Sequence, residues 1–216
     1  MNMKKYSKNK LPGSDGEHAI QREFGTEKKA LSFYNKQVLN ELAPLMCQFI
    51  EEQEMVFIST ADHNGVCDCS IRTGSPGFVK VVNNNTIIYP EYRGNGVMAS
   101  MGNMSINRNI GLLFIDFFKA TIGLHVNGKA KIIKKDNLSS ELGASCTDIV
   151  NNLENLESSK KTLCYVLIEV DEAYIHCSKH IPLLRKLDKA IHWGTDNERY
   201  KGGDAFKVKN YPRPWV

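Results

Sequence analysis

The chain has 216 residues, 42% hydrophobic and 24% charged, with a formal net charge of +4. The length fits one large domain or one domain with extensions, and the composition excludes collagen-like, fibrous and wholly disordered chains. So small a charge excess does not by itself point to nucleic acid. The longest apolar run, 110–115, is closed by Asp116, far short of the roughly 20 residues of a membrane helix.

The basic stretch 1–10 leads into no apolar segment, so no secretory leader is expected and a cytoplasmic location is. Residues 1–16 are polar, with Pro12, Gly13 and Gly16, and read as a mobile arm. Residues 27–53 carry Leu31, Phe33, Tyr34, Val38, Leu42, Leu45, Met46, Phe49 and Ile50 at helical spacing. Pro44 lacks the N–H that a helix interior needs, so two helices should meet near it.

The period then changes. Residues 55–61 are apolar and β-branched, and read as a strand. Asp62-His63-Asn64-Gly65 follows; Asn-Gly is the strongest short hairpin signal, because both residues tolerate positive φ. The return strand is 66–72, and Thr73 to Gly77 is a turn. A second hairpin spans 78–82 and 86–89 around three asparagines. Residues 90–96 form a loop, 97–107 a short helix and 110–117 a buried type of strand. Residues 123–134 form a strand with a bulge at Asn127-Gly128. Residues 139–156 are helical, 163–175 form the last long strand, and 181–191 read as a short basic helix. The domain is placed at 17–192, with an irregular tail over 193–216. Hairpins this close together favour an antiparallel barrel over a parallel sheet.

Six cysteines, Cys47, Cys67, Cys69, Cys146, Cys164 and Cys177, include no C-x-x-C pair. They are too sparse for a disulfide scaffold and are expected reduced. His176-Cys177-x-x-His180 offers metal-ligand types without a spaced partner to complete a site, so no metal is expected. His125 is a candidate for moving a proton. Met98, Met101 and Met104 recur at helical spacing and read as a packed face. Trp193 and Trp215 are read as packing residues of the C-terminal region. The basic residues Lys179, Arg185, Lys186 and Lys189 read as a solvated face, and a nucleic-acid partner is not expected.

Polar residues and glycines concentrate in Ser70-Ile71-Arg72-Thr73-Gly74-Ser75-Pro76-Gly77 and in the stretch from Pro90 to Ser100. The second is a glycine-bearing loop running into a helix start, where unpaired N–H groups and the helix dipole favour an anion. Arg72 and Arg93 would add charge-assisted bonds to a phosphate, and Asn95, Ser100 and Asn103 neutral ones. The plainer reading is that Gly94 and Gly96 only make a turn and both arginines are solvated. Neither a Walker loop nor a dinucleotide fingerprint is present: no Gly-Lys-Ser/Thr follows, and Ala99 stands where a third glycine would be.

Several segments in order resemble the pyridoxamine 5′-phosphate oxidase-like, FMN-binding split-barrel family. They are Phe57 to Asp62, Ser70 to Val79, Tyr92-Arg93-Gly94-Asn95-Gly96, Ser100-Met101-Gly102-Asn103, Asn107 to Phe114, and Val126-Asn127-Gly128-Lys129-Ala130. The resemblance covers roughly 17–185. It implies a mainly β fold with inserted helices (α+β), a six-stranded antiparallel Greek-key split barrel. It also implies a homodimer holding FMN at its interface and acting on a small molecule. Carried over, it puts Ser70, Ile71, Arg72 and Thr73 along the flavin ring. It puts Tyr89, Pro90, Arg93, Asn95, Met98 and Ser100 around ring and phosphate, and Asn103 where the oxidase has a glutamine. It assigns no catalytic residue, since a flavin carries the redox chemistry itself.

The chain departs from the oxidase at two places. Met98-Ala99-Ser100 replaces an Arg-Lys pair that follows a serine, and the end Pro212-Arg213-Pro214-Trp215-Val216 is not the Arg-Leu-x-Pro tail that helps hold pyridoxal. Flavin binding is therefore better supported than a vitamin B6 substrate. The functional expectation is an FMN-dependent oxidoreductase, with a deazaflavin-using variant as a relative. The alternative is a non-catalytic flavin- or haem-binding module.

Overall fold

A computed structural model describes residues 11–156, 161–192, 195, 197–200, 203–213 and 215. Residues 1–10 of the expected arm, and Trp193, lie outside the described residues. Helix α1 (Asp15–Glu23) starts within the span read as an arm, because Ser14 and Glu17 form a reciprocal capping box there. Helix α2 (Glu27–Gln37) leads into a two-residue strand, β1 (Val38–Leu39), and α3 (Pro44–Glu52) begins on its proline. Proline suits that first position, where the missing N–H has no intrahelical acceptor.

Strands β2 (Met55–Ala61) and β3 (Cys67–Thr73) form the first hairpin. Its turn is tied by Asp62, whose Oδ1 accepts from the N–H groups of Asn64 (2.8 Å) and Val66 (2.9 Å). Gly65 has φ 83° and Asn64 has no positive φ. The turn is thus a three-residue one with a left-handed glycine, not the two-residue Asn-Gly turn expected. Strands β4 (Lys80–Asn83) and β5 (Thr86–Tyr92) make the second hairpin, and α4 (Ala99–Ile106) precedes β6 (Asn109–Ile115) and β7 (Gly123–Lys134). The expected helix at 139–156 is divided. Gly143, at φ 79°, separates α5 (Leu138–Leu142) from α6 (Thr147–Glu154), because its left-handed backbone ends one helix before the next can start. Strand β8 (Thr162–His176) is the longest.

All pairings are antiparallel, in the order β3-β2-β6-β7-β8-β5-β4, with β1 on β8. Eight strands are present among the described residues where six were expected; the two short ones are β1 and β4. The class is as expected, mainly β with inserted helices. The expected helix at 181–191 is absent. The backbone there bonds to a neighbouring loop instead of to itself: Leu184 N–H donates to the Phe117 carbonyl (2.7 Å).

One core cluster holds Val56 and Ile58 of β2, Ile87 and Tyr89 of β5, and Phe114, Val126 and Ile168 of the strands between. Strands from both ends of the sheet share one interior, so the sheet curls around it. A second cluster, with Ile88, Ile133 and Tyr165, lies under Leu138 of α5 and Val150 and Leu153 of α6. Strand β5 lies between the two clusters and is buried on both faces from Ile87 to Glu91. Met101 and Met104 of α4 pack on the first cluster. Among the described residues no helix is long and apolar enough to cross a membrane.

The bulge expected in β7 is present, as a register shift between Asn127 and Gly128. A Cβ on Gly128 would lie 2.2 Å from the Glu169 carbonyl oxygen, and backbone cannot yield cheaply. Gly128→Ala should therefore cost about 1–3 kcal/mol of stability, read as a lower urea midpoint at unchanged slope.

Candidate functional site

The first hairpin's return strand builds one wall of the site. Alternation along β3 puts Asp68, Ser70 and Arg72 on one face, the more buried one. Opposite runs the loop 93–98, shaped by left-handed Gly94 and Gly96 and by Asn95, whose Oδ1 accepts from Val97 N–H (3.0 Å). Met98 is itself left-handed, at φ 57°, and is the N-cap of α4 without a side-chain cap bond. A non-glycine residue held there marks a segment over-determined by its surroundings. Together these elements enclose a cleft of about 510 Å³, also lined by Glu91, Tyr92 and the first three residues of α4. That volume lies within the roughly 300–1,000 Å³ range of ligand pockets.

An ion pair forms one side of the cleft. Arg72 Nε donates to Glu91 Oε2 at 2.8 Å, and its Nη1 donates to Ser70 Oγ (2.8 Å) and the Ile71 carbonyl (3.1 Å). Glu91, 5% exposed, also accepts from Tyr92 N–H (3.3 Å). Burial pushes the Glu91 carboxyl above its ordinary range, while the Arg72 guanidinium pulls it part of the way back. At the other end, Ser100 Oγ donates to Asp68 Oδ2 (2.8 Å).

Of the residues expected around a flavin, the structure gathers Ser70, Ile71, Arg72, Arg93, Asn95, Met98 and Ser100 in this one cleft. Four lie elsewhere. Tyr89 and Pro90 are buried within β5; the Tyr89 hydroxyl is enclosed without a partner, and burial, then the nearby Glu91 charge, raises its pKa. Asn103 turns to β2, its Nδ2 donating to Thr60 Oγ1 (3.1 Å). Thr73 sits at the far end of the β2–β3 ladder opposite Met55. Arg72 also differs from expectation: the guanidinium assigned to a phosphate is engaged by Glu91. The sequence reading missed Asp68 and Glu91. Strand alternation from Arg72 through Ser70 was a signal for Asp68; Glu91 lay within the polar stretch from Pro90 to Ser100 but had no role assigned, because its partner Arg72 is 19 residues away.

His125 lies away from the cleft. Its Nε2 is 2.9 Å from His176 Nδ1, and its ring stacks on Tyr174 with centroids 4.7 Å apart. Burial, and then the neighbouring His176, push its pKa down. Among the described residues no three His, Cys, Asp or Glu side chains gather in a way that could hold a metal.

The family model for pyridoxamine 5′-phosphate oxidase matches residues 42–177, more than half of the chain and all of the cleft. The chain belongs to this family. Among solved structures, a HupZ variant from Group A Streptococcus is 16% identical, covering 62% of this chain and 99% of its own, at a TM-score of 0.46. An FMN-binding protein from Syntrophomonas wolfei is 15% identical, covering 79% and 99%, at 0.42. HutZ, the heme storage protein from Vibrio cholerae, is 15% identical, covering 60% and 89%, at 0.36. No curated protein matches the chain.

The Arg72–Glu91 pair makes a measurable prediction. Removing one partner of a buried pair leaves an uncompensated charge, so Arg72→Met should cost about 3–5 kcal/mol at neutral pH. A carboxyl whose folded pKa is raised above its ordinary 4.5 favours folding when protonated. Its contribution is complete below the unfolded value and is lost as pH rises through the folded one. The Arg72→Met deficit should therefore be larger at pH 8 than at pH 5, measured by urea unfolding at both.

Proposed function

We propose that this protein is an FMN-dependent oxidoreductase acting on a small molecule, with the flavin in the cleft between β3 and α4. The observation that carries this reading is the uncapped start of α4. Ala99, Ser100 and Met101 line the cleft, and Met98 supplies no side-chain cap to their N–H groups. First-turn N–H groups lack intrahelical acceptors and favour an anion. Arg93 brings a cation to the same cleft. These groups fit a phosphate, and the β3 backbone from Ser70 to Arg72 offers an extended edge for a flat ring.

Bound FMN would supply the redox chemistry, taking up and releasing electron pairs. The chain's own part is to bind, orient and shield. Arg93 and α4 hold the phosphate end. The Arg72–Glu91 pair stiffens the β3 wall by fixing Ser70 and the Ile71 carbonyl. Ile71 and Val97, 47% and 73% exposed, flank the cleft with apolar surface. That exposed apolar surface supports extending the reading to a homodimer, which sedimentation equilibrium would report as twice the chain's mass.

The deciding measurement is flavin binding. The protein should bind FMN, read by its visible spectrum and quenched fluorescence. Arg93→Ala should weaken FMN by one charge-assisted bond, about 1.5–3 kcal/mol, and leave riboflavin, which lacks the phosphate, nearly unchanged. Equal weakening of the two would remove the phosphate from this end of the cleft.

A further inference from the structure

We propose that Asp68 sets how strongly this cleft discriminates between a phosphorylated ligand and its dephosphorylated counterpart. The inference rests on the flavin reading above and concerns a residue that reading does not use. Asp68 reaches from β3 to the start of α4, where its Oδ2 accepts a hydrogen bond from the Ser100 hydroxyl at 2.8 Å. Ser100 is the second residue of the helix and only 4% exposed. A hydroxyl has one proton to donate. Spent on Asp68, it is withheld from a phosphate oxygen, and a phosphate oxygen has no proton to offer in return.

Charge acts in the same direction. A carboxylate beside the N-terminal end of a helix is favoured for the same reason that a phosphate is. Asp68 is therefore a resident anion where the ligand's anion would come. The side chains lining the cleft bring two arginines, Arg72 and Arg93, and two carboxylates, Asp68 and Glu91; Glu91 is engaged by Arg72, so Asp68 is the carboxylate left to oppose a ligand's phosphate. A phosphate must displace Asp68 from Ser100 and remain near its charge. A terminal hydroxyl instead finds in Asp68 an acceptor. The pair FMN and riboflavin differs at that end alone.

The test is equilibrium binding of FMN and of riboflavin to the full chain, followed by flavin fluorescence, for the unaltered protein, Asp68→Asn and Asp68→Ala. Asparagine is nearly isosteric and keeps an acceptor oxygen for Ser100, so the first variant preserves the packing. The second frees the Ser100 proton altogether. In both, the ratio of FMN to riboflavin affinity should rise by about tenfold or more, the size of one charge-assisted bond, with FMN gaining and riboflavin unchanged or weakened. If both flavins bind and the ratio stays the same or falls, the role of Asp68 is overturned while the flavin reading stands. If neither flavin binds the unaltered protein or the variants, the flavin reading falls and this inference with it.

Discussion

The two ends of the sheet meet in one ion pair. Strand β3 is the first in the ladder and β5 the last but one, with four strands between them. Arg72 of the one and Glu91 of the other nevertheless stand 2.8 Å apart, both largely buried. A buried pair of this kind contributes little net stability, because desolvation offsets most of the attraction, but it tolerates only one arrangement of its partners. The pair joins the β3 wall to β5 at the side of the cleft, where Arg72 also holds Ser70 and the Ile71 carbonyl. The same pair explains why an arginine that looks suited to a phosphate is engaged within the fold.

The rest of the cleft follows from how α4 is entered. Beyond Tyr92 the chain leaves the sheet and turns on Gly94 and Gly96. It then passes through a left-handed Met98 into the helix. Asn95 spends its side chain on this turn, bonding Val97. The helix is held from the far side by Asn103 on Thr60 and by Met104 in the core. These two contacts seat the helix on β2 and the core, and Ser100 ties its start to Asp68 of β3.

Family membership and local chemistry act at different levels here. The family match spans the barrel and the cleft. The charges inside the cleft are set by this chain's own residues: Asp68 and Glu91 stand against the two arginines, Arg72 and Arg93. A shared fold carries no activity of its own.

Much of this was readable along the chain because it is local. An apolar, β-branched run marked β2, the Asn-Gly signal its return strand β3, and a continuous apolar run β6. Pro44 marked the start of α3, and Asn127-Gly128 the bulge in β7. The glycine-bearing loop before α4 marked the site. Each of these follows from backbone geometry within a few residues. The failures are equally physical. The stretch 181–191 has a helical pattern, yet its backbone found an acceptor in Phe117. Tyr89 and Pro90 adjoin the site in sequence, yet β5 is covered on both faces and keeps them inside. The sequence by itself determined the mainly β class, most of the elements and the segments that meet at the cleft. Only the tertiary structure decided which charges there are engaged, because Arg72 with Glu91 and Ser100 with Asp68 are 19 and 32 residues apart, and nothing short of the curled sheet brings them within bonding distance.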